Sequence, residues 1–402
     1  MLLHFGLRTR SSASAGRGRR SWSMQDRRLN GALIGTIVIA CLFTGCHDRR
    51  LPDERDAALA ADVRDFAASL SAKDEFSGVV LLARNGSPLV RSAFGMANRE
   101  TGASNSPETP FMLSSVAKMF TAVMIGRLVE RKRLSFESRL GSVLPEYPSG
   151  DARDRVTVRH LLTMSSGIPD LFRVPRFWAE IGTIRSPIDM WKYFADSPLQ
   201  FAPGTQWAYS NSNYLILGQI VERVTGREFH VVAEEEIFRP LHMSNTSYRV
   251  ASARRPALGY TRIPAGTTGL SGWTPAWSEP QPGSGFMPGN AMGGGYSTVD
   301  DLARFAEAVI DNRILKRETT GLMLTGAIDA DYGGRDGLGF ETRMTNGVRS
   351  AGHRGSLAGS STHVEFYPDL GYVLIVLGNT DSSGTEDIAS HVRAWLSSSK
   401  AK

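Results

Sequence analysis

The sequence holds 402 residues, 41% of them hydrophobic and 21% charged, enough apolar material for one large core or two smaller ones, which excludes a disordered chain. Its net charge of +6 would suit a polyanion partner, yet residues 1–45 carry seven Arg and one Asp, and the rest of the chain balances 39 basic against 39 acidic side chains. A neutral body gives no electrostatic reason to bind nucleic acid. Both cysteines, Cys41 and Cys46, lie near the N-terminus, so the body holds no disulfide framework, thiolate nucleophile or Cys-ligated zinc, and no cofactor is implied.

In chain order, Arg27-Arg28 precede an apolar run from Gly31 to Phe43 that ends in Thr44-Gly45-Cys46. That run is short for a bilayer span. It resembles a bacterial lipoprotein signal, and the resemblance implies lipidation of Cys46 and export to the bacterial periplasm, anchored to a membrane. With His47 rather than Asp next, that membrane is the outer one if the host is Gram-negative. A plain signal peptide or an uncleaved anchor is the alternative, and Met24 is an alternative start. Residues 1–45 are therefore read as extension and signal, 46–58 as a charged, Pro-containing tether, and 59–402 as the folded domain.

Asp53 to Ala72 reads as an amphipathic helix, with Leu59, Val63, Phe66 and Leu70 at helical spacing. Two apolar runs, Gly78 to Arg84 and Leu89 to Phe94, flank Asn85-Gly86-Ser87-Pro88 and predict a hairpin. The middle predicts helices near Val116 to Arg131, Val158 to Met164, Ser186 to Phe194, Tyr214 to Thr225, Phe229 to Ile237 and Thr298 to Ile310. Residues 262–295 read as a long loop. Strands are predicted at Gly339 to Met344, Thr362 to Tyr367 and Tyr372 to Leu377, with turns at Asn346-Gly347 and Pro368-Asp369, then a helix from about Thr385 to Leu396. The pattern predicts an α+β domain: one antiparallel sheet from both termini, about 59–130 and 290–402, with a mostly helical lobe inserted over about 131–289. A cleft between the two parts is the expected place for chemistry.

Three short motifs carry that chemistry. Ser115-Val116-Ala117-Lys118 sets a hydroxyl and an ammonium one helical turn apart; a Ser hydroxyl needs a neighbouring base, and Lys118 serves only if its pKa is lowered. Tyr209-Ser210-Asn211 supplies a phenol that a nearby lysine can hold as phenolate, acceptor and donor of protons in turn, and an amide for a substrate. Gly352-His353-Arg354-Gly355-Ser356 leads into the strand at Thr362; its small residues let a substrate lie along the strand edge, where the Ser356 N–H can pair with that of Ser115 as an oxyanion hole. Each alone has an ordinary explanation: a helix-surface pair, a turn with a packed tyrosine, a turn histidine. A Gly-x-Ser-x-Gly elbow and a His-Glu-x-x-His helix are both absent from the sequence.

Together, in order and type, the three resemble the active-site triplet of the penicillin-recognising serine enzymes, in the branch of class C β-lactamases and family VIII esterases. The resemblance runs from about Phe76 to Trp395 and includes His160-Leu161-Leu162-Thr163-Met164-Ser165-Ser166-Gly167 and Gly293-Gly294-Gly295-Tyr296-Ser297-Thr298. It implies a β-lactamase/transpeptidase-like fold and an acyl-enzyme on Ser115, with Lys118 and Tyr209 as the activating pair. Asn211, His353, Gly355 and Ser356 are implied on the substrate and oxyanion side, in a monomer that takes a small-molecule or peptide-like substrate. His353 stands where lactamases of this fold carry a lysine, which points to esters or D-amino peptides over β-lactams. Arg354, if turned into the cleft, would restore carboxylate recognition. The rival from another class is a domain that binds penicillin or peptidoglycan without hydrolysing it.

Overall fold

The computed structural model describes residues 53–249, 255–262, 273–276 and 289–398, all within the unit Arg50–Lys402. The expected signal, Cys46, most of the tether and most of the 262–295 loop lie outside the described residues. Among the described residues no helix is long and apolar enough to cross a membrane.

Eight strands form one antiparallel sheet: β1 (Gly78–Arg84), β2 (Ser87–Phe94), β3 (Ile328–Asp329), β4 (Arg335–Asp336), β5 (Glu341–Thr345), β6 (Val348–Leu357), β7 (Ser360–Tyr367) and β8 (Tyr372–Gly378). Their order is β3-β4-β5-β6-β7-β8-β1-β2, so the N-terminal hairpin closes one edge beside the last strand. β1 and β8 are interior strands buried on both faces, which is why they read as unbroken apolar runs. Val80 and Leu82 meet Leu374 and Val376 under helices α1 (Glu54–Ala72) and α5 (Gly384–Leu396), whose Leu59, Val63, Ile388 and Val392 complete that core. The alternate residues Val79, Leu81, Ile375 and Leu377 face the larger core, with α2 (Lys118–Glu130) and α4 (Val299–Ile310). α2 is buried from Lys118 to Gly126, as an apolar helix must be when it runs through the middle of a domain.

The two-part architecture holds, with local corrections. α1 opens at Glu54, capped by Asp53, whose Oδ1 accepts from the Asp56 N–H at 2.7 Å; the last residues assigned to the tether are therefore helical. The segment read as helical over 186–194 is a 3-10 helix, Pro187–Tyr193. The helix expected from Val116 begins earlier, as a 3-10 turn over Ser114–Ala117 that runs into α2.

The largest difference is β6, ten residues read before as a motif ahead of a strand. Its glycines and polar residues hide the alternation, and the glycines are there because neighbours are close. A Cβ on Gly352 would stand 1.9 Å from the Val364 carbonyl oxygen. Within the old loop the described pieces are short pairs, Tyr260–Arg262 with Trp273–Pro275 and Gly289–Asn290 with Gly293–Gly294.

Candidate active site

Ser115 lies in the 3-10 turn before α2, and Ser114 just ahead of it has φ +49°, a left-handed conformation that costs a non-glycine residue energy and has to be held by its surroundings. The Ser114 hydroxyl donates to Ser360 Oγ at 2.9 Å, and Ser360 donates in turn to the Met112 carbonyl at 2.9 Å. On the other side, a Cβ at Gly355 would be 2.7 Å from the Leu113 oxygen and 2.9 Å from the Ser115 nitrogen. β6 thus lies directly on the backbone of the nucleophile turn, and only glycine fits at that point. The exposed Ser356 follows on the same strand.

Lys118 is completely buried. Its Nζ lies 3.0 Å from Ser115 Oγ and 2.8 Å from Asn211 Oδ1, and it also meets the Met292 carbonyl oxygen. Two of these three partners can only accept a hydrogen bond, whereas the Ser115 hydroxyl can also donate. A neutral Lys118 amine therefore gives its two N–H groups to Asn211 and Met292 and turns its lone pair to Ser115. Burial pushes the amine down to about 7, against the pull of the Asp170 and Glu341 carboxylates. Tyr209 completes the arrangement by donating its O–H to Ser115 Oγ at 2.8 Å. Burial raises the phenol above its ordinary value, and the neighbouring charges it feels, Glu341, Asp170 and Asp336, add to the rise. Burial thus favours Tyr209 as a neutral donor and Lys118 as the base, of the two options the sequence leaves open.

Asn211, the first residue of helix α3 (Asn211–Thr225), differs from expectation in another way. Its carbonyl is taken by Lys118, while its backbone N–H and Nδ2 reach Asp170 Oδ1 at 3.1 and 3.3 Å. It positions Lys118 before it can serve a substrate. Asp170 and the Met292 carbonyl were both missed. Asp170 follows the quoted Ser165-Ser166-Gly167 phrase by three residues and Met292 precedes the Gly293 phrase, and no local pattern marks either as a partner of a lysine 50 to 180 positions away.

His353 lies in β6, 5% exposed, with Nδ1 2.6 Å from the Arg354 carbonyl and 3.7 Å from Glu341 Oε1. A carbonyl only accepts, so in the neutral ring Nδ1 carries the hydrogen. Burial lowers the imidazole to about 4, with Glu341 opposing and Lys118 assisting, so His353 is uncharged throughout the neutral range. Arg354 lines the same cleft, where its Nε donates to Glu341 Oε2 at 2.8 Å and the guanidinium stacks 5.0 Å from the centre of the Tyr332 ring.

Two spaces meet at Ser115. A narrow slot of about 70 Å³ is walled by Phe172, Phe177, Ile181, Ile184, Met190 and Leu357. On the other side a cleft of about 680 Å³ is lined by Tyr209, Trp207, Tyr332, His353 and Arg354, among others. Ser356 and Asn211 border both. The arrangement offers an activated hydroxyl, a buried amine as its base, a phenol as proton donor on the cleft side, and separate room for the two halves of an acyl compound.

The family description "Beta-lactamase" matches residues 63–397. Esterase EstB of Burkholderia gladioli is 30% identical over 72% of the chain and 78% of its own length. PbpX of Bacillus subtilis, named as a penicillin-binding protein, is 27% identical over 64% of the chain, which spans only 61% of PbpX. The crystal structure of a penicillin-binding protein from Bacillus halodurans superposes with a TM-score of 0.70 at 26% identity, covering 86% of this chain and 99% of that one.

If Lys118 is the base, reactivity of Ser115 requires it unprotonated. Labelling by a neutral fluorophosphonate is expected to rise about tenfold per pH unit below an apparent pKa near 7 and to level off above it. A rate constant that does not change between pH 5 and 9 would contradict the assignment.

Proposed function

The chain belongs to the beta-lactamase family, and from that premise we propose that it is a serine hydrolase working through an acyl-enzyme on Ser115, with an ester or the amide of a small peptide-like compound as substrate. The observation that carries this reading is the Ser115 hydroxyl held between the Lys118 amine at 3.0 Å and the Tyr209 phenol at 2.8 Å. Lys118 takes the Oγ proton while Oγ bonds to the carbonyl carbon. The bond to the leaving group then breaks, and Tyr209 hands that group a proton, which the Lys118 ammonium replaces. Water repeats the sequence on the acyl-enzyme: it loses a proton to Lys118, bonds to the carbonyl carbon, and releases the acid and Ser115. The oxyanion falls to the backbone N–H groups of Ser115 and Ser356, where β6 crosses the nucleophile turn.

The uncharged, buried His353 supports esters or small peptide-like amides over β-lactams. A lysine there would offer a drug carboxylate a permanent charge, and this imidazole offers none. Arg354, the cation nearest to it on the cleft wall, is already engaged by Glu341 and Tyr332. EstB, an esterase, is consistent with that preference. Lys118 and Tyr209 converging on one hydroxyl, with Asn211 holding Lys118, speaks against a domain that only binds, since binding needs no proton path.

Turnover and covalent labelling are expected to vanish in Ser115→Ala, and Lys118→Ala and Tyr209→Phe to lose at least about a thousandfold in kcat/KM. Assays with p-nitrophenyl esters, nitrocefin and D-Ala-D-Ala peptides in parallel should favour the ester or the peptide, and His353→Lys should move the balance toward nitrocefin. Near-normal ester hydrolysis by folded Lys118→Ala would end the assignment, as would stoichiometric labelling by fluorescent penicillin with hydrolysis of no substrate.

The leader supports export to a bacterial periplasm and lipid anchoring at Cys46, and Cys46→Ser is expected to release the protein from the membrane fraction. Unchanged attachment would point to the apolar run as an uncleaved anchor.

A further inference from the structure

The slot and the cleft differ in more than size. The slot has room for few atoms: an apolar cavity of about 150 Å³ accepts benzene, and this one has about 70 Å³. Tyr209, the donor that must reach the departing group, borders the cleft and not the slot. The acyl half of a substrate therefore enters the slot and the leaving half lies in the cleft.

The described walls of that cleft are strongly one-sided in charge. Asp331, Asp336, Glu341, Asp381 and Glu386 line it against a single guanidinium, Arg354, with His353 uncharged and burial raising the Asp336 carboxyl to about 7. Arg354 is neutralised by Glu341 at 2.8 Å. Glu386 faces His363 at 3.1 Å and Arg393 at 3.8 Å behind the cleft. Asp331 and Asp381 are exposed at the rim, and the Asp381 carboxylate accepts only a hydroxyl, that of Thr261, among the partners described for it. Asp336 is buried and receives Trp207 Nε1 and the Tyr332 hydroxyl, each at 2.7 Å. That clamp stands the half-buried Trp207 ring in the wall, 6.5 Å from the ring of Tyr209. An indole face beside carboxylates suits an ammonium group, and the same field opposes a carboxylate.

We propose that the leaving-group side of this site is selective for a cation, so that the preferred substrates are short apolar acyl esters or amides of amino alcohols or amines that carry a positive charge. The proposal rests on the hydrolase reading above and adds the sign of charge that the site selects. It is a property of the catalytic cleft, where nucleophile, proton donor and aromatic wall already define a ligand position. The charge arrives with the substrate and departs with the alcohol or amine; the acyl carbon to leaving-atom bond breaks as described, and no further reactant is required.

Three butyryl esters test it in a pH-stat: butyrylcholine, its uncharged isostere 3,3-dimethylbutyl butyrate, and the butyryl ester of 3-hydroxypropionate. At low ionic strength kcat/KM is expected to be about tenfold higher for the choline ester than for the isostere, and lowest for the anionic ester. The ratio of the first two should shrink in 0.5 M salt and in Asp331→Asn/Asp381→Asn. Ser115-dependent hydrolysis of the neutral ester with no advantage for the choline ester overturns the proposal and leaves the hydrolase reading standing. A preference for the anionic ester, lost in Arg354→Ala, overturns it in favour of carboxylate recognition. Turnover of none of the three by a folded protein overturns the proposal and, with it, the ester half of the hydrolase reading.

Discussion

A lysine without access to water must find all its hydrogen-bond partners inside the protein, and the site is arranged around those that Lys118 finds. An ammonium in that place would need three acceptors; the fold supplies two that can only accept, from Asn211 and Met292, and a third that is a hydroxyl. The missing hydration penalises the charged form: a fall from 10.5 to about 7 corresponds to about 5 kcal/mol. The proton that burial drives off Lys118 leaves a lone pair facing Ser115. Destabilising the ammonium and activating the serine are thus one effect.

Holding that geometry takes elements far apart in sequence. The 3-10 turn over Ser114–Ala117 brings Ser115 and α2 brings Lys118, α3 brings Asn211, the segment beside Gly293 brings the Met292 carbonyl, and Asp170 fixes Asn211 from the helical lobe. β6 crosses so near the nucleophile turn that a single methyl at Gly355 would collide with it, while the left-handed Ser114 is tied through its hydroxyl to Ser360 at the start of β7. The same crossing divides the space around Ser115 into an apolar slot and a polar cleft. Packing of the sheet against α2 therefore sets both the reactivity of the serine and the separation of the two halves of a substrate.

Much of this was legible in the sequence. β1 and β8 are interior strands of the sheet, and a strand buried on both faces reads as a plain apolar run. Ser115, Lys118 and Tyr209 stood out because three motifs in the right order seldom coincide, and the structure brings all three within hydrogen-bond reach. β6 was not legible as a strand, because Gly352 and Gly355 answer to neighbours that come close only in the folded protein. The protonation of Tyr209 was not legible for a related reason: a phenol near a lysine suggests a phenolate only while the lysine is charged, and burial, which works against that charge and raises the phenol, is a property of the fold. Asp170, Met292 and Glu341 act on the site through contacts across the fold that carry no local signature.

The central claim, that Lys118 is neutral at the pH where the protein would work, is open to direct measurement. Nitrogen-15 NMR of lysine-labelled protein, with the Lys118 Nζ resonance assigned by its loss in Lys118→Met, gives the titration midpoint of the amine. The account predicts a midpoint near 7, with the resonance of a neutral amine above it. A midpoint near the ordinary lysine value of about 10.4 would contradict it, and the base for Ser115 would have to be sought elsewhere.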